Sequence, residues 1–281
     1  MSTEPAVLPV IAMLGSGSMG GAILSGLLGP GVARAGDVRV TTRSAASAAA
    51  LAGTAGLTVA ASADDPEANR AAVAGAAIVV VAVKPYAVLD LLAEIAPALA
   101  AGTRVVSVAA GIPTARMEAV LPDGVAVLRA MPNTPSTVGL GVTGLAPGAR
   151  ADEADVAAVR AVFATVGDVI VLPEERIDAL AALSGSGPAY VFYLLEQFGA
   201  IARDYGFTAD EARVLVEGTA RGSLALLDAS DADATELRRR VTSPKGTTER
   251  AIAAFDDAGM PAILRAATDA NIARSAELAA G

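Results

Sequence analysis

The chain has no cysteine, no histidine and no tryptophan in 281 residues, and only two of its 21 basic side chains, Lys84 and Lys245, are lysines. The first two absences remove disulfides, thiol nucleophiles, Cys/His zinc sites, imidazole acid–base catalysis and Ser-His-Asp triads in one step. Chemistry is left to hydroxyls, carboxylates, amides, the two lysines or a bound cofactor, and no metal site is expected. Clustered positive charge is also missing: the formal charge is −9 and the one basic run is Arg238-Arg239-Arg240. A nucleic-acid surface needs a basic stripe to displace counterions, so none is expected, and the three arginines read as a solvated helix face. Long apolar runs are absent too. The longest, from Ala76 to Val83, is far too short to cross a bilayer, and Met1 to Pro9 carries Glu4 with no basic n-region. The expectation is a cytoplasmic protein with neither a membrane nor a nucleic-acid partner.

What is present is apolar bulk, 53% of the residues, enough for one large core or two ordinary ones. Up to residue 173, short β-branched runs (10–14, 38–42, 57–60, 78–83, 104–108, 125–128, 141–145 and 168–171) alternate with Ala/Leu-rich helical patterns (19–28, 44–51, 67–73, 88–100, 114–120 and 152–164). That rhythm belongs to parallel strands joined by crossover helices. After Leu172-Pro173 the strands stop, and from Ile177 the chain reads as helices broken at 184–188, 205–208, 229–233, 243–246 and 259–261. The fold class expected is a doubly wound α/β domain with a mostly parallel sheet over 1–173, followed by an all-α domain over 174–281. Segments 190–203 and 210–227 mix Phe, Tyr, Leu and Val with small residues over most of their circumference. One buried face does not need that much, so they are predicted to pack against a second subunit as well.

The run Val241-Thr242-Ser243-Pro244-Lys245-Gly246-Thr247-Thr248 sets a hydroxyl-rich, Gly- and Pro-broken turn between two helical patterns. With Thr247 or Thr248 as cap of the following helix, free N–H groups and hydroxyls would face a small anion. Leu183-Ser184-Gly185-Ser186-Gly187-Pro188-Ala189-Tyr190 repeats the formula, unless it is a Ser/Gly hinge with proline in the first helical turn. Near the N-terminus, Gly15-Ser16-Gly17-Ser18-Met19-Gly20 lies between a strand and a helix, as a dinucleotide-binding turn must. Thr41-Thr42-Arg43-Ser44 ends the second strand, where an NAD site usually has a carboxylate, and its guanidinium and hydroxyls suit a 2′-phosphate. NADPH is therefore the expected cofactor, with NADH possible.

Val83-Lys84-Pro85 lies at the carboxyl end of the fourth strand, where doubly wound sheets bind ligands. Ser107-Val108-Ala109-Ala110-Gly111 ends the next strand with residues small enough for a flat ring to lie against backbone. In Arg129-Ala130-Met131-Pro132-Asn133-Thr134-Pro135 two prolines stiffen a loop expected to present an amide and a hydroxyl. Asn69, after Asp64-Asp65-Pro66, has two readings: a helix N-cap, or a side chain reaching an adenine edge.

Together these segments, in this order over nearly the whole chain, resemble pyrroline-5-carboxylate reductase. The Leu183 to Tyr190 and Val241 to Thr248 runs are far more specific to that family than the glycine turn is. The resemblance implies a Rossmann-like N-terminal domain, a helical dimerisation domain interlocked between subunits, a homodimer or a higher assembly of dimers, and an imino-acid substrate. It implies hydride transfer from NAD(P)H to the C=N carbon of 1-pyrroline-5-carboxylate, giving L-proline in the last step of its synthesis. Carried over by motif, Ser186, Gly187, Ser243, Gly246, Thr247 and Thr248 would bind substrate, main-chain groups of Ser184 to Gly187 closing the pocket. Leu14, Gly15, Ser16, Gly17, Ser18, Met19, Thr42, Arg43, Asn69, Ala82, Val83, Lys84, Pro85, Val108, Ala109 and Ala110 would hold the dinucleotide. Thr248, at the ring nitrogen, and Lys84, a cation near the nicotinamide, are the expected catalytic groups.

The chain departs from the family pattern at Ser18, Tyr86, Arg240 and above all Lys245, where a small residue is usual. If that position needs positive φ, a lysine there is strained. Other imine reductases and β-hydroxyacid dehydrogenases share the two-domain plan, but the latter use a lysine on the first interdomain helix and none lies between Lys84 and Lys245. A non-catalytic nucleotide-binding regulator would have no use for the two hydroxyl turns.

Overall fold

β-branched runs become strands where alternate side chains can be buried on opposite faces, and β1 (Ile11–Leu14) shows this residue by residue. Ile11 and Met13 enter one apolar cluster, Ala12 and Leu14 the other. These belong to a computed structural model that describes residues 7–280, the side chains of 278–280 excepted. Of the Met1 to Pro9 segment, residues 1–6 therefore lie outside the described residues.

The chain continues through α1 (Ser18–Leu27), β2 (Val38–Thr42), α2 (Ala45–Leu51), β3 (Leu57–Ala61), α3 (Ala68–Val73), β4 (Ile78–Val81) and α4 (Val88–Ile95). Next come β5 (Arg104–Ser107), α5 (Thr114–Glu118), β6 (Ala126–Met131), β7 (Gly141–Pro147), α6 (Glu153–Phe163) and β8 (Gly167–Val171). The strands form one eight-stranded sheet in the order β3-β2-β1-β4-β5-β6-β7-β8. Every neighbouring pair is parallel except β6 and β7. α1 and α6 supply Ile23, Leu27, Val159 and Phe163 to the cluster on one face. α3, α4 and α5 supply Val73, Leu92, Ile95 and Met117 to the other, so the sheet is covered on both sides.

Several element boundaries differ from the sequence expectation, the largest being helix 88–100, which ends as α4 at Ile95, and two of them bear on the ligand edge of the sheet. β4 stops at Val81 rather than at 83, which releases Ala82 to Pro85 as a loop at the sheet's carboxyl edge. β6 runs on to Met131 because its last residues pair antiparallel with β7, Met131 opposite Gly144. The order reverses between β1 and β4, and that switch point is where an open α/β sheet leaves a crevice for a ligand.

After β8 come α7 (Ile177–Leu180), a π-helical turn (Ala181–Gly185), α8 (Gly187–Asp204), α9 (Ala209–Asp228), α10 (Ala234–Arg240), α11 (Thr247–Asp257) and α12 (Met260–Ala280). The break expected at 184–188 is thus narrower: Gly187 and Pro188 already belong to α8, proline being tolerated in a first turn whose N–H groups have no helical partner. Two units cluster separately: Met1–Gly185 with Ile272–Gly281, and Ser186–Asn271. The helical unit has hardly any interior of its own. Only Ala202 and Ala212 are fully buried in it, while Phe192 is 66% and Tyr193 61% exposed. No helix among the described residues is long and apolar enough to cross a membrane.

Candidate active site

At the switch point the glycines of the β1–α1 turn each have a distinct steric role. Gly15 has φ +97°, and a Cβ there would lie 2.6 Å from the Ala82 carbonyl oxygen. Gly20 is pressed against the turn itself, its would-be Cβ 2.6 Å from the Gly15 oxygen. Gly17 has nothing within 4 Å. It is the N-cap of α1, no side chain caps that end, and the first helical bond runs from Gly21 N–H to the Gly17 carbonyl at 2.7 Å. The N–H groups of Ser18, Met19 and Gly20 therefore have no helical partner, beside open space at the positive end of a ten-residue helix. A pyrophosphate fits that cradle, and any side chain at Gly17 would fill it.

The turn after β2 is organised differently from expectation. Thr41 and Thr42 are buried, and the Thr42 hydroxyl donates to the Ser44 carbonyl at 2.9 Å, so its proton is committed to the turn. Ser44 caps α2 through the Ser47 N–H. The exposed cation at this tip is Arg43. Asn69 is not a cap: Glu67 holds that position. The Asn69 amide is buried and donates to Glu94 Oε1 at 3.0 Å, fixing it against α4. Ala82 N–H donates to the Leu14 carbonyl at 2.8 Å, stitching β1 to the loop after β4. Lys84 is exposed and caps the 3₁₀ turn Pro85–Ala87. Val108 N–H donates to Val81 and Ala109 N–H to the Ser107 hydroxyl, so this strand end is held flat.

The loop after β6 turns its amide inward rather than presenting it. Asn133, buried, accepts from Val142 N–H at 2.8 Å and donates at 3.1 Å to both the carbonyl and the hydroxyl of Ser184. Nearby, the buried Arg129 guanidinium faces Glu174 at 3.6 Å and Asp178 at 3.4 Å. Glu174 also accepts from the N–H and hydroxyl of Thr114, at 2.9 and 2.6 Å. The first residues after the sheet are thereby tied to strand β6 and helix α5.

In the helical unit, Ser186 is the N-cap of α8 and its hydroxyl accepts from Asn271 Nδ2 of α12 at 2.9 Å. Nothing local in the sequence marked Asn271. The α10–α11 loop corrects the reading of its threonines: the cap of α11 is Gly246, with Thr247 and Thr248 as the first two helical residues, both exposed. Gly246 is required there, since a Cβ would come 2.9 Å from the Ser243 carbonyl oxygen. As no side chain caps the helix, its first N–H groups and both threonine hydroxyls stand at one end of an eleven-residue helix, an anion site by dipole and by donors. Lys245 has φ 59°, the one non-glycine residue at positive φ among the described residues. Its N–H donates to Glu249 Oε2 at 2.8 Å, closing the loop on the helix. Upstream, Glu236 accepts from Arg239 at 2.7 and 2.9 Å and from Arg240 at 2.9 Å. These hydrogen bonds, Arg239's foremost, bring its carboxyl down to about 2.

A doubly wound sheet with a glycine-turn cradle, joined to helices that expose a hydroxyl-lined anion site, defines a two-domain dinucleotide-dependent oxidoreductase. Residues 10–111 match the family model "NADP oxidoreductase coenzyme F420-dependent" and residues 174–278 the model "Pyrroline-5-carboxylate reductase dimerisation". The pyrroline-5-carboxylate reductase of Pseudomonas aeruginosa is 39% identical over 272 residues, covering 96% of this chain and 97% of the relative. That of Mycobacterium tuberculosis is 38% identical over 291 residues, covering 95% and 96%. The solved structure of a pyrroline-5-carboxylate reductase from Coxiella burnetii superposes with a TM-score of 0.88 at 33% identity, covering 95% of this chain and 97% of that one. The chain belongs to the pyrroline-5-carboxylate reductase family.

Proposed function

We propose that this protein reduces the C=N bond of 1-pyrroline-5-carboxylate to L-proline with NAD(P)H, the closing step of proline synthesis. The observation that supports it most is the glycine-capped N-terminus of α11, with Thr247 and Thr248 exposed and no side chain capping the helix, in a chain related to one of these reductases over 96% of its length. NADPH, when bound, supplies a hydride to the imine carbon. It would be held by Leu14 to Met19, Thr42, Arg43, Asn69, Ala82 to Pro85 and Val108 to Ala110. Arg43 would face the 2′-phosphate and Lys84 would add positive charge on the nicotinamide side.

The substrate is a cyclic imine with a carboxylate, and its protonated form is already electrophilic. Catalysis then needs positioning and charge management rather than a metal. Ser243 and the N–H groups of Thr247 and Thr248, left without helical partners by the Gly246 cap, would take the carboxylate, helped by the dipole of α11. Thr248 would hold the ring nitrogen through its hydroxyl, keeping its proton in place as the carbon accepts hydride and the nitrogen becomes a secondary amine. Ser186 and Gly187 would close over the ring. The protein acts as a homodimer or an assembly of dimers, and a cytoplasmic setting goes with its need for a reduced dinucleotide pool. The test is consumption of NADPH with pyrroline-5-carboxylate, with proline measured as product. A protein that binds NADPH yet makes no proline would sink this reading.

A further inference from the structure

We infer that Asn133 is a positioning residue for this reduction: it fixes the Ser184 hydroxyl as a hydrogen-bond donor to the substrate carboxylate. The inference rests on the proposed reading of Ser184 to Gly187 as part of the substrate site.

The orientation of the Asn133 amide is set by its surroundings. Val142 N–H donates to its oxygen at 2.8 Å, so the nitrogen end is the one that faces Ser184. Its two protons go to the Ser184 carbonyl and hydroxyl oxygens, both at 3.1 Å. An amide NH₂ only donates, which forces the Ser184 oxygen to accept and leaves the serine's own proton for another partner. A carboxylate only accepts, so it is the complementary partner.

The geometry exceeds what a loop staple needs. One bond to the backbone would hold the turn, whereas the second addresses the side chain. Ser184 lies in the π-helical turn Ala181–Gly185, a conformation that is rare and concentrated at functional sites. Asn133 is itself buried and held between Pro132 and Pro135, so its place is determined before any ligand arrives. In the helical unit, Asn271 donates to the Ser186 hydroxyl in the same sense. The run Ser184-Gly185-Ser186 thus has each of its hydroxyl oxygens accepting from an asparagine.

Asn133→Asp keeps the size and the acceptor for Val142 but removes both donated protons, and Ser184→Ala removes the hydroxyl. In the full-length protein, Asn133→Asp should raise KM for pyrroline-5-carboxylate roughly tenfold, the loss of one hydrogen bond to a charged group, with NADPH affinity unchanged and the thermal midpoint lowered only by the lost bond to the Ser184 carbonyl. Ser184→Ala should produce a rise of the same order, and adding Asn133→Asp to it should raise KM no further, because the two act on the substrate through one hydroxyl. Effects that multiply in the double variant would overturn the inference, as would a wild-type KM for Asn133→Asp. Parallel losses of activity, NADPH affinity and thermal midpoint would make Asn133 a structural staple and overturn it as well. If the wild type binds L-proline but turns over no imine, the functional reading fails, and the proline affinities of wild type and Asn133→Asp then decide the inference separately. A wild type that neither reduces the imine nor binds proline refutes both.

Discussion

Lys245 occupies a left-handed backbone conformation, φ 59°, that costs a non-glycine residue about 1 kcal/mol. The surrounding loop holds it there: Glu249 takes its N–H and Gly246 N–H bonds Ser243. Lys245→Gly should therefore raise stability by about 1 kcal/mol, visible as a higher thermal midpoint. An unchanged or lower midpoint would show that the lysine is relaxed. The same variant reports on substrate choice, because a lost ammonium beside a carboxylate site should raise KM. Thr248→Val should lower kcat roughly a hundredfold, the scale of a positioned proton-handling group, while NADPH affinity stays intact. A defect confined to cofactor binding would contradict the role given to Thr248. At this scale the sequence was legible where function follows from one residue's own constraint, as at Gly15, Gly20 and Lys245. It was not legible for Asn133 and Asn271, whose partners lie 51 and 85 residues away.

Among the elements, the strands were the easiest to read, since a parallel sheet covered on both faces demands unbroken apolar runs. Helix ends were harder. Thr247 and Thr248 look like caps, yet Gly246 takes that place because its backbone alone fits against Ser243. The result is a helix end with more unpaired donors than a threonine cap would leave. Helix α10 carries its own electrostatic signature. Glu236 titrates at about 2 in the folded chain against an ordinary 4.5, so its contribution is complete above 4.5 and disappears as pH falls through 2. The group is exposed, so the effect is small. Thermal midpoints of wild type and Glu236→Gln should differ at neutral pH and converge over that acid window. A constant difference down to pH 2 would assign the effect to packing.

For the whole molecule the helical unit sets the terms. Fully burying a side chain such as Phe or Leu contributes about 2 kcal/mol, and here Phe192, Tyr193, Leu224 and Leu226 are mostly exposed in the single chain. Residues 174–278 match a dimerisation family, and the predicted partner of those faces is a second copy. Phe192→Glu should disrupt the assembly, seen by sedimentation as a smaller species, and lower the thermal midpoint. A variant that still assembles with wild-type stability would place Phe192 outside the interface.

The sequence by itself determined the class of chemistry, the order of the elements and the positions of both hydroxyl turns, because absent residue types, apolar periodicity and glycine placement are local properties. Tertiary structure alone decided which donors remain available. Thr42 and Asn133 looked presented and are committed inward, whereas the ends of α1 and α11 are left uncapped. Hydrogen-bond satisfaction is settled by partners that only folding brings within reach, so a motif names its donors and the fold determines which of them stay free.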